Sequence, residues 1–330
     1  MATRPFPILF ITATRIGDAV LSSGLIKRLH DEIPNARFTI AAGPLAAPLF
    51  ADVPNLDRII PMEKEKHGAH WLKLWLEVRK QKWGLVVDLR GSATARFLRR
   101  QRRAVKKASA EPVHKVLEAA RVLQMEDDPP APFLFLSEDR EIEARRLMKG
   151  KGPILAMGPA ANWVGKAWPA ERFARTAMEL LGPKGALKGG RLALFGGPGD
   201  RRVIEEVRKA VPTERCIDLA GKVDLLTVYA CLGHARLFIG NDSGLMHLAA
   251  AAGTPTLGLF GPSDERLYAP WGEDCRVVRG PRTFEQFKAL DPALNQSISH
   301  MMDLPISQVT AAARELLAAT ERELADAKEL

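Results

Sequence analysis

The chain has 330 residues, of which 46% are hydrophobic and 26% are charged. This composition is typical of a globular protein, and the length is sufficient for two α/β domains of ordinary size. No run of about 18 apolar residues occurs, so we predict no transmembrane helix. The three cysteines lie far apart and form no CxxC pair, which argues against a disulfide framework or a zinc site and favours a reducing cytoplasm.

Positive charge is concentrated in the first half of the chain. The formal net charge is +9, and residues 1–150 carry 26 Lys and Arg against 18 Asp and Glu. Within this half, Arg90–Lys107 contains eight basic residues and no acidic residue. Such a stretch attracts anions, which include nucleic acid, a phospholipid surface and a phosphorylated substrate. A solvated basic helix is the alternative interpretation of the same stretch.

Short apolar runs alternate with segments of helical periodicity along the first half. We predict strands at Pro7–Ala13, Arg37–Ala42, Arg58–Pro61 and Leu85–Leu89, and helices at Asp18–Glu32 and Trp71–Lys82. This order of elements predicts a parallel sheet with helices on both faces. The acidic, proline-rich stretch Glu126–Pro132 then interrupts the pattern. We therefore predict an N-terminal domain of residues 1–132 and a C-terminal domain of residues 133–330.

The second half repeats the same order of elements. We predict strands at Pro153–Met157, Arg191–Phe195, Cys216–Leu219, Leu237–Gly240 and Thr256–Phe260, and helices at Pro169–Leu181, Asp200–Ala210, Leu225–Leu232, Leu245–Ala252 and Ser307–Leu330. Pro169 is expected at the first helical position, which proline favours. Two successive β/α arrays predict an α/β protein with two Rossmann-like domains, in which ligands bind at the carboxyl ends of the strands.

The segment Gly240–His247 (GNDSGLMH) connects an apolar strand to an alanine-rich helix. Backbone N–H groups after Ser243 begin this helix, and free amides at a helix N-terminus bind phosphate. The alternative is that Asp242 or Ser243 is only a helix cap. His247 is either a buried core residue or a hydrogen-bond donor to a phosphate group.

Two other loops follow predicted strands in the second half. Gly158–Pro169 is superficially similar to a P-loop, but Ala161 and Ala167 replace the glycine and the hydroxyl residue of that motif. Lys166 remains a candidate for binding phosphate oxygens, although most loop lysines are only surface residues. The turn Phe195–Arg201 lacks the G-x-G-x-x-G spacing of dinucleotide sites.

Two aspartates are candidates with two interpretations each. Asp200, in the glycine-rich turn, can bind ribose hydroxyls, but helix capping is the favoured interpretation. Near the N-terminus, Gly17 and Asp18 link the first strand to the first helix, and Asp18 stands where a cap is expected. The helix dipole lowers the pKa of a carboxylate at that position. Such a carboxylate can still accept the proton of an attacking sugar hydroxyl in the transition state.

These segments together resemble glycosyltransferase family 9, the ADP-heptose:lipopolysaccharide heptosyltransferases. The similar segments are ILFITATRIGDAVLSSGLIKRL, PAANWVGKAWPAERFA, LALFGGPGDR and LAGKV followed by LFIGNDSGLMHLAAAAGTPTLGLFGPSD. The resemblance implies a GT-B fold, with two Rossmann-like domains facing across a cleft. The first would hold the acceptor and the second the donor, and the last helix is a candidate to pack back on the first. It also implies an inverting transfer from an ADP-sugar without a cofactor or an obligatory metal.

The resemblance also implies roles for individual residues. Asp18 corresponds to the family's catalytic base, and Lys166 to the cation that stabilises the departing diphosphate. The implied donor-binding residues are Gly17, Gly197, Asp200, Gly221, Lys222, Asp242, Ser243, Gly244, Leu245 and His247. No residue is expected to bind a metal.

The family's usual acceptor is an anionic, phosphorylated glycolipid, and this resemblance suggests a function for the basic stretch Arg90–Lys107. Its residues would bind the acceptor and hold the enzyme at the cytoplasmic face of the inner membrane as a peripheral protein. The candidate acceptor-binding or anion-binding residues are Arg90, Arg96, Arg99 and Arg100. The alternatives are a protein acceptor or a non-catalytic nucleotide-sugar-binding protein. Nucleic acid is not an expected partner, because no nucleic-acid motif or interleaved aromatic residue accompanies the basic stretch.

Overall fold

The computed structural model describes residues 4–107, 111–294 and 298–326. It divides into two compact units, unit 1 at Met1–Ser137 and unit 2 at Glu138–Leu330. The proline-rich stretch Glu126–Pro132 lies near the end of unit 1. Each unit contains one parallel sheet, as the β/α order of the sequence predicted.

Unit 1 contains a five-stranded sheet of order β3-β2-β1-β4-β5. The strands are β1 (Phe6–Ile11), β2 (Ala36–Ala42), β3 (Leu56–Pro61), β4 (Trp83–Asp88) and β5 (Arg100–Val105). The helices are α1 (Ile16–Glu32), α2 (Ala69–Val78) and α3 (Lys115–Ala120). Strand β4 is buried along its whole length and β1 along most of it, which explains their continuous apolar runs, because helices cover both faces of such sheets.

The basic stretch does not form the helix considered as an alternative. Its second part is the edge strand β5, which pairs with β4 in parallel. Gln101, Arg102 and Arg103 are exposed along this strand. Charged side chains on an edge strand oppose pairing with another sheet. The strand was not predicted, because its arginines conceal any alternation of apolar and polar residues.

Unit 2 contains a six-stranded parallel sheet of order β11-β10-β9-β6-β7-β8. The strands are β6 (Ile154–Gly158), β7 (Arg191–Leu194), β8 (Cys216–Asp218), β9 (Leu237–Asn241), β10 (Thr256–Phe260) and β11 (Cys275–Arg279). The helices are α4 (Glu138–Leu147), α5 (Ala170–Leu181), α6 (Arg201–Arg208), α7 (Leu225–Leu232), α8 (Gly244–Ala251), α9 (Glu265–Tyr268), α10 (Phe284–Leu290) and α11 (Ile306–Asp326). Residues 327–330 of the predicted last helix lie outside the described residues.

The strand order of unit 2 reverses direction between β6 and β9. The chain proceeds from β6 outward to β7 and β8, and then crosses back to β9 beside β6. Loops at the carboxyl ends of two such strands diverge and leave room for a ligand. The loop after β6 contains Lys166, and the turn after β9 contains Asp242 and Ser243.

Several boundaries differ from the prediction. Pro169 precedes helix α5 as its N-cap residue, with an extended ψ of 135°, rather than opening the helix. Elements that the sequence analysis did not predict are β5, α3, α4, α9, β11 and α10. Helix α4 has low hydrophobicity and buries only Ala144, so it lacks the apolar periodicity on which the prediction depended. The terminal helix α11 packs on α5, β10 and β11 within unit 2.

Candidate functional site

The N-terminus of α8 carries backbone donors that no side chain caps. Ser243 is its N-cap residue with an extended backbone (φ −154°, ψ 171°), yet its side chain makes no capping hydrogen bond. Its Oγ is buried and has no hydrogen-bond partner within residues 4–107, 111–294 and 298–326. The amides of Gly244, Leu245 and Met246 begin the helix, so helix geometry gives them no acceptor inside it. This arrangement is suited to an anion.

A lysine lies beside this helix start. Lys166 ends a short helical turn, Val164–Lys166, and its Nζ donates to Oδ2 of Asp242 over 2.5 Å. The Asp242 side chain is only 6% exposed, whereas that of Lys166 is 26% exposed. Asp242 therefore forms an ion pair with Lys166 instead of capping α8. The structure brings Lys166, expected to stabilise the departing diphosphate, next to Asp242 and Ser243, which were expected to bind the donor.

Asn241 fixes the position of the lysine loop, and sequence reasoning missed it. The residue is fully buried at the end of β9. Its Oδ1 accepts the backbone N–H of Trp168 over 3.0 Å, and its Nδ2 donates to the carbonyl of Pro159 over 2.8 Å. Both ends of the loop that carries Lys166 are thus bound to one amide side chain. The available signal was an asparagine directly after an apolar strand, where an unpaired amide would be costly.

A segment before α11 supports the same loop from another direction. Ser299 donates its hydroxyl to the carbonyl of Ala167 over 2.7 Å, and the backbone N–H of His300 donates to the carbonyl of Gly165 over 3.1 Å. The indole N–H of Trp168 donates to the carbonyl of Leu304 over 3.0 Å. Residues on both sides of Lys166 in the chain are therefore held by hydrogen bonds to this segment.

The turn after β7 is closed by Asp200. This residue is the N-cap of α6, but its side chain makes no capping hydrogen bond to that helix. Its Oδ2 instead accepts the backbone N–H of Gly197 over 2.7 Å. Asp200 therefore occupies the predicted N-cap position of α6, but its side chain does not make the predicted hydrogen bond to that helix. Gly197 itself is exposed.

The loop after β8 lies against the turn after β7. The N–H of Gly221 donates to the carbonyl of Gly196 over 2.9 Å. Lys222 is paired with Oδ2 of Asp218 over 3.0 Å, and Arg201 contacts the same oxygen over 2.9 Å. Burial raises the pKa of Asp218, but hydrogen bonds from the two cations outweigh it, and the pKa is lowered overall.

Replacing Gly221 by alanine should destabilise unit 2 by about 1–3 kcal/mol, the usual cost of a strained backbone residue. Gly221 has a φ of +67°, and an added Cβ would lie 2.9 Å from the Cα of Pro198. Chemical denaturation of the whole chain measures the change. Gly199→Ala is the matched control, because its added Cβ would meet no heavy atom within 4 Å. Equal stability of both variants would contradict the prediction.

Two further predicted donor contacts lie within α8. His247 is 3% exposed and lies one turn into the helix. Leu245 is half-buried, and its side chain would contact a Cβ added at Gly158, at the end of β6. Leu245 therefore lies in the region between the carboxyl ends of β6 and β9.

In unit 1, Asp18 is the third residue of α1 and not its cap. The helix begins at Ile16, with Arg15 as N-cap, and Gly17 precedes Asp18 in the first turn. Burial raises the pKa of the Asp18 carboxyl above 3.8, although Arg15, Lys115 and Lys106 lower it in part. The expectation of a lowered pKa is therefore wrong, because removal of the carboxylate from water outweighs the helix dipole and the nearby cations. A raised pKa means that the ionised carboxylate binds a proton more tightly.

The cations near Asp18 were not identified from the sequence as members of this site. Lys106 and Lys115 both donate to Oε2 of Glu118, over 2.8 and 3.0 Å. Burial of Glu118 raises its pKa, but the two lysines outweigh that effect and lower it overall. Lys106 follows β5 and Lys115 begins α3, so only the folded chain brings them to the start of α1.

The four arginines predicted to bind an anion differ in their contacts. Arg100 donates to the carbonyls of Arg96 and Leu98, over 3.1 and 2.7 Å. Its guanidinium therefore stabilises the segment that precedes β5. Arg90 lies 5.7 Å from the ring centre of Trp71. Arg96 and Arg99 are exposed. Within the described residues, no three His, Cys, Asp or Glu side chains form a group that could hold a metal ion.

The structure contains no membrane-spanning helix among its described residues, since none combines sufficient length with sufficient hydrophobicity.

The chain is similar to known proteins over most of its length. The sequence model of glycosyltransferase family 9 (heptosyltransferase) matches residues 61–295. Lipooligosaccharide heptosyltransferase 2 of Haemophilus influenzae is 28% identical over 311 residues, which cover 82% of this chain and 88% of that protein. Lipopolysaccharide heptosyltransferase 2 of Escherichia coli K12 is 27% identical over 315 residues, with 82% and 87% covered.

Solved structures show the same fold. The E. coli ADP-heptose LPS heptosyltransferase II superposes with a TM-score of 0.73 at 22% identity, covering 96% of this chain and 100% of that chain. A family 9 glycosyltransferase of Veillonella parvula gives a TM-score of 0.74 at 21% identity, with 97% and 99% covered. The predicted GT-B class of α/β fold is thus confirmed. Because the family model matches well over half of its length, the chain belongs to glycosyltransferase family 9, the heptosyltransferases, and is a glycosyltransferase.

Proposed function

We propose that the protein transfers a heptose from an ADP-linked donor, with inversion, to an acceptor of the lipopolysaccharide core. The observation that carries this proposal is Lys166 beside the uncapped N-terminus of α8. A cation and convergent amides form a site for a diphosphate. The names of the H. influenzae and E. coli relatives support heptose as the sugar and the lipid-linked core as the acceptor.

In the proposed reaction, unit 1 binds the acceptor and unit 2 binds the donor. An acceptor hydroxyl attacks the anomeric carbon of the sugar as Asp18 accepts the hydroxyl proton. A new C–O bond forms, and the bond between the anomeric carbon and the diphosphate oxygen breaks. The electron pair of the broken bond leaves with the nucleoside diphosphate. No metal ion is required, because Lys166 and the amides of α8 stabilise the growing negative charge.

The position of each loop supports the remaining donor contacts that we propose. Asp242 orients Lys166, and Ser243 offers a hydroxyl at the helix start. The loops after β7 and β8, which include Gly197, Asp200, Gly221 and Lys222, are proposed to bind the nucleoside. In unit 1, Arg90, Arg96, Arg99 and Arg100 are proposed to bind phosphates of the acceptor. A peripheral position at the cytoplasmic face of the inner membrane gives the enzyme access to such an acceptor.

Isothermal titration calorimetry with ADP-, UDP- and GDP-sugars tests the donor. We expect an ADP-sugar to bind and the UDP- and GDP-sugars to bind at least about tenfold more weakly, which corresponds to about 1.4 kcal/mol. A preference for UDP or GDP would replace the ADP assignment. Ser243→Ala should weaken the binding of ADP itself, because the hydroxyl lies at the proposed diphosphate position.

Product analysis tests the acceptor and the stereochemistry. Transfer to a core oligosaccharide, with the anomeric configuration determined by NMR, would support an inverting lipopolysaccharide glycosyltransferase. Transfer to a protein side chain would support the protein-acceptor alternative. Donor binding without any transfer to either acceptor would support a non-catalytic nucleotide-sugar-binding protein.

A further inference from the structure

Helix α2 of unit 1 exposes a second apolar stripe beside the one that faces the core. Leu74 and Val78 are buried, whereas Leu72 and Leu76 are 60% and 48% exposed. The two exposed leucines are four residues apart, which places them one above the other on the same face of the helix. Single exposed leucines are ordinary on protein surfaces, but a stripe on one helix face indicates a surface that meets a partner.

A third exposed apolar residue is joined to this helix by a tryptophan. Phe97 is 70% exposed, and its carbonyl accepts the indole N–H of Trp75 over 3.2 Å. Trp75 is half-buried and immediately precedes Leu76 in α2. We call this surface the α2 patch, which consists of Leu72, Trp75, Leu76 and Phe97.

Cations accompany the α2 patch. The guanidinium carbon of Arg79 lies 4.9 Å from the ring centre of Trp75. Lys80 is exposed two residues after α2, and exposed Arg96 and Arg99 lie on either side of Phe97 in the sequence. An apolar patch with cations at its edge is complementary to an anionic bilayer, whose headgroups attract the cations and whose acyl region receives the apolar side chains.

We propose that the α2 patch is the surface through which the protein binds the anionic phospholipids of a bilayer. Leucine and phenylalanine side chains would enter the boundary between headgroups and acyl chains. Trp75 is suited to that boundary, since it combines an apolar ring with a polar N–H group. The inference rests on the proposed function, because a lipid-linked acceptor is what brings the enzyme to a bilayer.

Cosedimentation of the full chain with vesicles tests this inference. Vesicles of equal parts phosphatidylglycerol and phosphatidylcholine should bind the protein, and vesicles of phosphatidylcholine alone should bind it at least about tenfold more weakly. The variant Leu72→Ser/Leu76→Ser/Phe97→Ser should lose about tenfold or more in binding to the anionic vesicles. These three side chains are exposed, so the variant is expected to fold, which circular dichroism and thermal unfolding verify.

A matched variant controls for the loss of exposed hydrophobicity in general. Met178→Ser/Leu290→Ser removes two exposed apolar residues of unit 2, 56% and 69% exposed, and should bind the vesicles like the unmodified chain. Equal binding by the patch variant and the unmodified chain would overturn the proposal. A change in oligomeric state caused by the patch variant, measured by light scattering without lipid, would instead assign the patch to contacts between copies of this chain.

Fluorescence quenching tests insertion directly. Phosphatidylglycerol brominated on its acyl chains should quench tryptophan emission of the bound protein, and the patch variant should lose this quenching even at lipid concentrations that bind it. Binding without quenching would show attraction by charge alone and would overturn the inserted patch.

Transfer to a soluble acceptor oligosaccharide separates this proposal from the proposed function. The patch variant should retain that activity while losing transfer to acceptor lipid embedded in vesicles. If the unmodified chain did not bind an ADP-sugar or did not transfer sugar to the soluble acceptor, the proposed function would be contradicted. The result of the vesicle experiment would be unaffected.

Discussion

Replacing Asp18 by asparagine should lower kcat by about 100- to 10,000-fold, the usual contribution of a general base. The amide has nearly the shape of the carboxylate but cannot accept the proton of the acceptor hydroxyl. The dissociation constant of the donor, measured by calorimetry, should not change, because the donor is assigned to unit 2. Steady-state kinetics with saturating donor measure the loss.

Asp31→Asn is the matched control for this variant. Asp31 lies in the last turn of the same helix, is exposed and pairs with Lys27. Its replacement should leave kcat unchanged. Undiminished turnover by Asp18→Asn would remove Asp18 from the mechanism.

The raised pKa of Asp18 gives a second readout of the same prediction. Since the base must be ionised, kcat/KM should fall on the acid side with an apparent pKa above the ordinary value of 3.8. The folded state binds this proton more tightly than the unfolded state does, so Asp18 makes stability fall as the pH rises from 3.8 through its raised pKa. At neutral pH, Asp18→Asn should therefore be more stable than the unmodified protein in denaturant titrations. A less stable variant would contradict burial as the dominant cause of the shift.

Replacing Lys166 by alanine should lower kcat by about 100- to 1,000-fold, the usual effect of removing one group that stabilises developing negative charge. The diphosphate gains charge as the sugar bond breaks, so the loss should be larger in kcat than in donor affinity. Lys166→Arg should retain part of the activity because it keeps the charge. Single-turnover kinetics with bound donor measure the chemical step.

The ion pair with Asp242 requires its own control. Lys166→Ala leaves a carboxylate that is 6% exposed without its partner, which destabilises the protein independently of catalysis. Lys166→Ala/Asp242→Asn removes that unpaired charge and should recover stability without recovering kcat. Lys184→Ala, at an exposed lysine of unit 2, should change neither. Recovery of activity in the double variant would show that Lys166 acts only by neutralising Asp242.

Local patterns in the sequence were sufficient to predict most strands of the two sheets. Apolar runs such as Leu237–Gly240 and Thr256–Phe260 coincide with β9 and β10 to within one residue, because strands buried on both faces must be continuously apolar. The small residues after β9 likewise predicted a helix start at Leu245, one residue after the observed start at Gly244. These signals are contained in neighbouring residues, so the chain does not need to be folded for them to be recognised.

Other features depended on contacts between distant residues. The arginine-rich β5 became a strand because β4 supplies its hydrogen-bond partners. Asp18 acquired a raised pKa because the fold buries it, and the fold also brings Lys106 and Lys115 near it. In unit 2, tertiary packing pairs Lys166 with Asp242 and binds the lysine loop to Asn241.

The sequence by itself determined the β/α order, the family and the residue types of the site. Only the tertiary structure decided which charges meet, which carboxylate is buried and which helix face stays exposed. The physical reason is range: backbone conformation follows from residues a few positions apart, whereas desolvation and ion pairing depend on neighbours that folding brings together.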